Sequence, residues 1–359
     1  MDPSLRFGVS EKSDRSEKGD RSRQTAIIFP MPVTLRSFAK INIGLRIGPH
    51  REDGYHELRT IYQTISLHDV VRVDVTRGAG IEIYCKDPRV PSDESNTCWR
   101  VADRVLRSLK TRGKVRITIE KGLPVQGGLG AASSNAVAVM LGLERVLKRQ
   151  LAPEERLRIA AEVGSDLPLF LVGGTVLGTG RGEQVYPLDD LPSLHCVVAT
   201  PSTGVSTPAA FAAWDKQFSD NGKLTGPSPS DRMNTFSHSV YEWLNGSSFS
   251  PTGVPSKGWD RAEALLLDLV RTGMENDFER VVFPMCPAIR QVKRSLEREG
   301  AKCVSLSGSG SSVYGLFGDK ESAAKAARRL GEHDVPAQVA VTLPRTQYWK
   351  EMFRDRLIG

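Results

Sequence analysis

The chain has 359 residues, with 49 Lys plus Arg against 42 Asp plus Glu, a formal charge of +7, 39% hydrophobic and 25% charged residues, which excludes a wholly disordered, collagenous or disulfide-framed protein. At roughly 150 residues per domain the length predicts two domains, and with neither the 18 or so apolar residues of a membrane helix nor the apolar core of a secretory signal the chain reads as cytoplasmic with no membrane partner. The positive excess is spread along the chain without a Lys/Arg block interleaved with aromatics, which predicts no nucleic-acid partner and a weak pull on anionic small molecules.

Residues 1–32 alternate acids and bases with Ser and Gly and offer almost nothing to bury, so they read as a disordered tail. From Val33 the character changes. Ile41–Ile47, Val70–Val75, Ile81–Tyr84 and Val115–Ile119 are short, β-branched runs bounded by Gly, Asp and Pro, and predict strands. Between Ala132 and Leu147 apolar residues recur every three to four positions, predicting a helix with a glycine-rich approach. A second helix is predicted over Pro153–Val163, with Pro at a tolerated first-turn position. Arg261–Arg271 and Ala288–Glu299 show the same period, and Val304–Leu306 and Val313–Phe317 read as strands flanking SGSGSS. Residues 215–260 are rich in Ser, Gly and Pro and read as an insertion or long loop, with one short helix carrying Met233, Phe236, Val240 and Trp243. Strands precede, separate and follow the helices, which favours α+β with mixed or antiparallel sheets.

Five cysteines, Cys85, Cys98, Cys196, Cys286 and Cys303, are scattered and form no CxxC pair. They predict a reducing compartment and no structural zinc, and no metal-ligating residue is assigned.

The segment with most chemical content is Pro124-Val125-Gln126-Gly127-Gly128-Leu129-Gly130-Ala131-Ala132-Ser133-Ser134, which leads into the first predicted helix. Glycines that let backbone N–H groups approach closely, followed by an unsatisfied helical turn, suit a phosphate; the same residues also suit a flexible loop with an N-capping serine. Leu306-Ser-Gly-Ser-Gly-Ser-Ser312 is either a hairpin turn or a second wall around the same polyphosphate. Lys40 is a lone lysine in an apolar strand, either snorkelling or placed to neutralise a moving phosphoryl group. Asp166 is a lone carboxylate before Leu-Pro, either a helix N-cap or an acceptor-orienting base. Gly54-Tyr55-His56-Glu57 is either a turn with a packed tyrosine or a stacking platform beside an imidazole.

Taken together these segments resemble the GHMP kinase superfamily over Val33 to about Leu343. Three motifs carry the likeness: Ala39-Lys-Ile-Asn42, Pro124 to Asn135, and Ser307-Gly-Ser-Gly-Ser311. Within the superfamily, Arg51 to Leu58, Gly164 to Phe170, Gly178 to Glu183 and Glu275-Asn-Asp-Phe-Glu279 are similar to stretches of the kinases that act on 4-diphosphocytidyl-2-C-methyl-D-erythritol. The resemblance implies a two-lobed fold with the active site in the cleft, an ATP-binding lobe over 33–190 and a substrate lobe over 191–350. It implies transfer of the ATP γ-phosphate to the C2 hydroxyl of that substrate in the non-mevalonate isoprenoid pathway, with Mg²⁺ as cofactor, by a monomer or homodimer.

Residue by residue, the resemblance makes Asp166 the base, Lys40 its charge partner and Pro124–Ser134 the ATP loop. Asn42 positions the substrate, Tyr55 and Phe211 sandwich the cytosine with His56 at its edge, and Thr207, Gly308, Ser309 and Gly310 line the substrate side. Gln126, Ala131 and Ala132 stand where the family often has Gly. The alternatives are another GHMP kinase of a small alcohol or sugar, or a non-catalytic nucleotide- or RNA-binding protein on the same fold.

Overall fold

The computed structural model describes residues 31–218, 229–246 and 274–353. The tail apart from Met31 and Pro32, the helix expected at Arg261–Arg271 and much of the 215–260 segment therefore lie outside the described residues.

Two long strands, β1 (Val33–His50) and β2 (His56–Thr76), form an antiparallel hairpin in register from Val33↔Val73 to His50↔His56. The prediction found only the Ile41–Ile47 part of β1. Register shifts at Phe38/Ala39, Asn42/Gly44 and Ile47/His50 break the alternation from which a strand is read, and Ser37 through Leu45 are buried on both faces. On its other edge β2 pairs with β4 (Lys114–Glu120) and β5 (Thr175–Thr179). Parallel β3 (Gly80–Cys85) and antiparallel β6 (Gln184–Pro187) complete a six-stranded sheet.

Three helices share the core of this sheet: α1 (Thr97–Ser108), α2 (Ala131–Leu147) and α3 (Pro153–Val163). The sequence reading lacks α1, although Cys98, Val101, Ala102 and Val105 recur at helical spacing and Asn96 caps it by accepting from the Cys98 N–H at 2.9 Å. A single turn, α4 (Leu167–Phe170), follows Asp166.

The second sheet has four antiparallel strands, β7 (His195–Ala199), β8 (Cys303–Leu306), β9 (Val313–Phe317) and β10 (Ala337–Val341), in the order β10-β7-β9-β8. Its apolar cluster takes in side chains of α5 (Thr207–Phe218), α7 (Glu279–Met285), α8 (Pro287–Arg298) and α9 (Lys320–Glu332). Between α5 and α7 the chain forms α6 (Pro229–Gly246), whose buried Met233, Phe236 and Val240 place part of the expected insertion against β1. The last helix, α10 (Arg345–Met352), crosses back to the first sheet, where the buried Tyr348 donates its hydroxyl to the Phe170 carbonyl at 2.7 Å. Among the described residues no helix is long and apolar enough to cross a membrane.

Glu275–Glu279 ties the sheets together. Leu45 and Asp277 exchange backbone bonds with Glu275 and Leu45 in a short parallel bridge. The Asp277 carboxylate, fully buried, accepts from the Ile47 N–H at 2.8 Å, from Arg46 at 3.0 Å and from Arg232. Its removal takes the buried carboxylate from two guanidinium groups that are themselves mostly buried. Asp277→Ala is therefore expected to cost about 3–5 kcal/mol, read as a lower denaturation midpoint; a midpoint equal to wild type would deny Asp277 this anchoring role.

Candidate active site

Lys40 lies on β1 and is 3% exposed. An ammonium group is tolerated there only with partners, and three are present. Its Nζ donates to Asn42 Oδ1 at 2.7 Å, lies 3.5 Å from Asp166 Oδ2, and sits 5.5 Å from the centre of the Tyr62 ring. Asp166 occupies the N-cap position of α4, yet its side chain makes no capping bond and turns instead to Lys40 and to the Tyr62 hydroxyl, which donates to Oδ1 at 3.1 Å. Burial, with the Asp166 charge added, pushes the Tyr62 hydroxyl well above its ordinary pKa, so it remains a donor to the carboxylate.

Tyr62 was not singled out in the sequence. The signal for it lies in the Gly178–Glu183 motif: a Cβ on Gly178 would meet the Tyr62 ring at 2.5 Å, and one on Gly182 would meet its hydroxyl at 2.4 Å. Those glycines make room for the ring that orients Asp166.

The two small-residue loops touch. Gly128 has φ +75°, and a Cβ there would sit 2.1 Å from the Ser307 carbonyl oxygen. The Ser312 N–H donates to the Gly127 carbonyl at 3.1 Å, and the Ser307 hydroxyl to the Gly128 carbonyl at 3.0 Å. Asn42 joins this junction to Lys40, since its Oδ1 also accepts from the Gly308 N–H at 2.8 Å. Asn276, another residue the sequence reading left without a role, holds the Leu306 and Gly308 carbonyls at 2.8 Å each. The second loop is thus a contact wall and not a free hairpin turn.

A cavity of about 370 Å³ lies beside the first loop, lined by Pro124 through Ser133 together with Asn96, Lys121 and Arg89. Ser133 is half-buried in this lining, whereas Ser134 is absent from it: its side chain is 1% exposed and its Oγ accepts from the Ser37 hydroxyl at 2.7 Å. Gln126 has φ +61°, the conformation that glycine adopts without steric cost. Ala132 is exposed and Ala131 half-buried. The start of the loop is fixed from beneath by buried Asp69, which accepts from the Gly122 and Leu123 N–H groups at 2.8 Å and from Asn135 at 2.9 Å. A larger open cleft of about 1010 Å³ borders α8 and α9 and includes none of the predicted site residues.

At the far end of the hairpin, His56 is buried and stacks on Phe211 with ring centres 5.2 Å apart and planes 12° from parallel. Tyr55 is 53% exposed, with the Arg181 guanidinium 4.9 Å from its ring centre. Phe211 therefore has His56 as its stacking neighbour, while Tyr55 offers an open face. Thr207, at the start of α5, exchanges a hydrogen bond with Ser309 at 2.7 Å, which brings α5 to the second loop; Gly310 lies in the same loop with φ +89°.

This geometry can be set beside known proteins. The model for the GHMP kinases N terminal domain matches residues 96–174, and that for the GHMP kinases C terminal domain matches 262–335. The 4-diphosphocytidyl-2-C-methyl-D-erythritol kinase of Solibacter usitatus is 36% identical over 298 residues, 83% of this chain and 85% of the relative. That of Geobacter sulfurreducens is 35% identical over 299 residues, 83% and 94% of the two chains. The chain belongs to the 4-diphosphocytidyl-2-C-methyl-D-erythritol kinase family.

A crystal structure of a kinase of this family superposes with TM-score 0.65 at 28% identity, covering 86% of this chain and 99% of the other. A homoserine kinase from Cytophaga hutchinsonii gives the same TM-score of 0.65 at 19% identity, covering 88% and 96%. The fold is therefore common to GHMP kinases, and sequence rather than backbone shape separates the 4-diphosphocytidyl-2-C-methyl-D-erythritol kinase family from its neighbours. As a GHMP kinase the protein uses ATP.

The Tyr62–Asp166 bond gives a direct test. Tyr62→Phe removes a donor to a charged acceptor, worth about 1.5–3 kcal/mol, and kcat is expected to fall roughly tenfold to a hundredfold with nucleotide Kd unchanged. An unaltered kcat would show that Asp166 is aligned without it.

Proposed function

We propose that the protein transfers the γ-phosphate of ATP to the C2 hydroxyl of 4-diphosphocytidyl-2-C-methyl-D-erythritol, forming ADP and the 2-phosphate. The observation that carries this reading is the pair of Lys40 and Asp166 side chains, 3.5 Å apart, beside the point where the two glycine loops meet. Residues 33–190 serve as the ATP-binding lobe and 191–350 as the substrate lobe, with the last helix returning to the first.

In this reading the Gly127–Gly130 backbone and the N-terminal end of α2 cradle the ATP phosphates, where unpaired N–H groups and the helix dipole favour negative charge. Asp166, held by Tyr62 and Lys40, aligns the acceptor hydroxyl and takes its proton as the new P–O bond forms. Lys40 sits where charge spreads over the transferred phosphoryl oxygens, in a site dry enough for that charge to be felt strongly. The donor set also suits Mg²⁺, a hard cation usually bound through phosphates, waters and one or two protein oxygens: the Ser133 hydroxyl lies in the cavity lining whereas Ser134 is already bonded to Ser37. When bound, Mg²⁺ would screen the phosphates.

The cytidylyl end is assigned to the opposite end of the hairpin, where Tyr55 presents a ring face and Phe211 and His56 form a stacked pair. Binding energy gained there, remote from the reacting atoms, is available for orienting the hydroxyl. Thr207 and Ser309 offer hydroxyls between the two ends.

A coupled ADP-release assay with MgATP and the cytidylyl substrate, beside homoserine, mevalonate and galactose, is expected to give turnover with the cytidylyl substrate alone; turnover confined to another acceptor would overturn the proposal. Asp166→Ala is expected to lower kcat by about 10²-fold or more with ATP binding little changed, and near-normal turnover would remove it from the reaction. Phe211→Ala is expected to raise KM for the cytidylyl substrate while KM for ATP stays constant; equal KM values in mutant and wild type would displace the pyrimidine from this pocket.

A further inference from the structure

Away from Lys40, one group of three side chains able to hold a metal ion converges among the described residues. His50 at the end of β1, His56 at the start of β2 and Asp215 on α5 each offer a donor atom, and these atoms lie within 4.8 Å of one another. Asp215 Oδ1 is 2.8 Å from His56 Nε2 and 3.4 Å from His50 Nε2. That oxygen is shut off from solvent, and two ring nitrogens approach it closely. The two imidazoles lie with ring centres 4.0 Å apart.

The two nitrogen–oxygen separations, 2.8 and 3.4 Å, have the length of edges of a coordination polyhedron with bonds of about 2.0–2.2 Å. The 2.8 Å separation equally suits a His–Asp hydrogen bond, so what distinguishes the cluster is the second imidazole, His50, at 3.4 Å from the same oxygen. Imidazole donors select a borderline cation such as Zn²⁺ over Mg²⁺ or Ca²⁺, which prefer all-oxygen shells. Phe211 fixes the plane of His56 by stacking, and His50 is 54% exposed in its side chain, which leaves the outer side of the cluster open to water or a further ligand.

We propose that His50, His56 and Asp215 form a binding site for a divalent transition cation of the Zn²⁺ class, and that a cation held there closes the cytidylyl end of the substrate pocket. The first half stands on the cluster itself; the second rests on the reading that His56 and Phe211 receive the cytosine. The cation would take the imidazole nitrogen that the pyrimidine edge needs, making the protein a kinase whose acceptor site is blocked by an ion different from the one that serves its phosphates. Neither histidine forms a recognisable sequence spacing with Asp215, which arrives from a helix about 160 residues away along the chain.

The test is calorimetric titration of full-length, chelator-stripped protein with Zn²⁺ in excess Mg²⁺, repeated with Co²⁺ for its visible absorption. Wild type is expected to bind one equivalent, and His50→Gln to bind at least about tenfold more weakly while its metal-free kcat and KM stay at wild-type values. Zn²⁺ is expected to raise KM for the cytidylyl substrate and not for ATP in wild type, with little effect in His50→Gln. No saturable Zn²⁺ binding by wild type, or undiminished binding by His50→Gln, would overturn the site. Zn²⁺ binding that depends on His50 but is untouched by saturating cytidylyl substrate would overturn the shared pocket and leave the cation site standing.

Discussion

An ammonium ion at the floor of a cleft costs several kcal/mol unless its surroundings are organised around it, and much of this structure can be understood as that organisation. Lys40 is buried on the central hairpin, so its strand must be covered on both sides. Asn42, two residues on, faces the same way and divides its oxygen between the ammonium and the Gly308 N–H. The second loop is thereby bonded to the oxygen that receives Lys40 and lies directly over the ammonium group. Gly128 allows the first loop to approach the Ser307 carbonyl closer than any side chain would permit, and the Lys40 backbone N–H donates to the Leu129 carbonyl of that loop at 3.0 Å, so both loops meet beside the buried charge.

The residues that supply this order are mostly polar groups with structural duties. Asp69 gathers the start of the first glycine loop, Asn276 holds two carbonyls of the second loop, and Asp277 pins β1 to the chain that follows α6. Glu279 extends the same frame by accepting from the Leu306 N–H and pairing with Lys293. None of these groups needs to meet a substrate. Each converts a conformationally free backbone segment into a wall with fixed hydrogen-bond directions, which is the condition for electrostatic stabilisation of a moving phosphoryl group.

Much of this was legible from the sequence, for identifiable reasons. The helices at Ala131–Leu147 and Pro153–Val163 announce themselves by period and by glycine or proline at their starts, and Lys40 and Asp166 stood out as lone charges in apolar runs. What the sequence concealed depends on contacts between distant segments. Tyr62 looks like any strand aromatic until Asp166 and the Gly178–Glu183 turn are brought to it. Ser133 and Ser134 are indistinguishable by type, and only the helix phase, which turns Ser134 towards Ser37, separates them. The contact of Phe211 with His56 is likewise invisible in the sequence, because α5 brings Phe211 to the start of β2 from a distant part of the chain. β1 was foreshortened because its bulges shift the side-chain phase within the strand.

The return of α10 to the first sheet has a consequence for synthesis. Tyr348 plugs against Gly173, where a Cβ would fall 2.2 Å from its ring, and bonds the carbonyl of Phe170 on the turn that carries Asp166. A chain emerging from the ribosome therefore makes its first glycine loop early but lacks the buttress behind the Asp166 turn until almost every other element has been translated. The apolar seat beside Gly173 stays unfilled through that interval, until the last helix delivers Tyr348 to it.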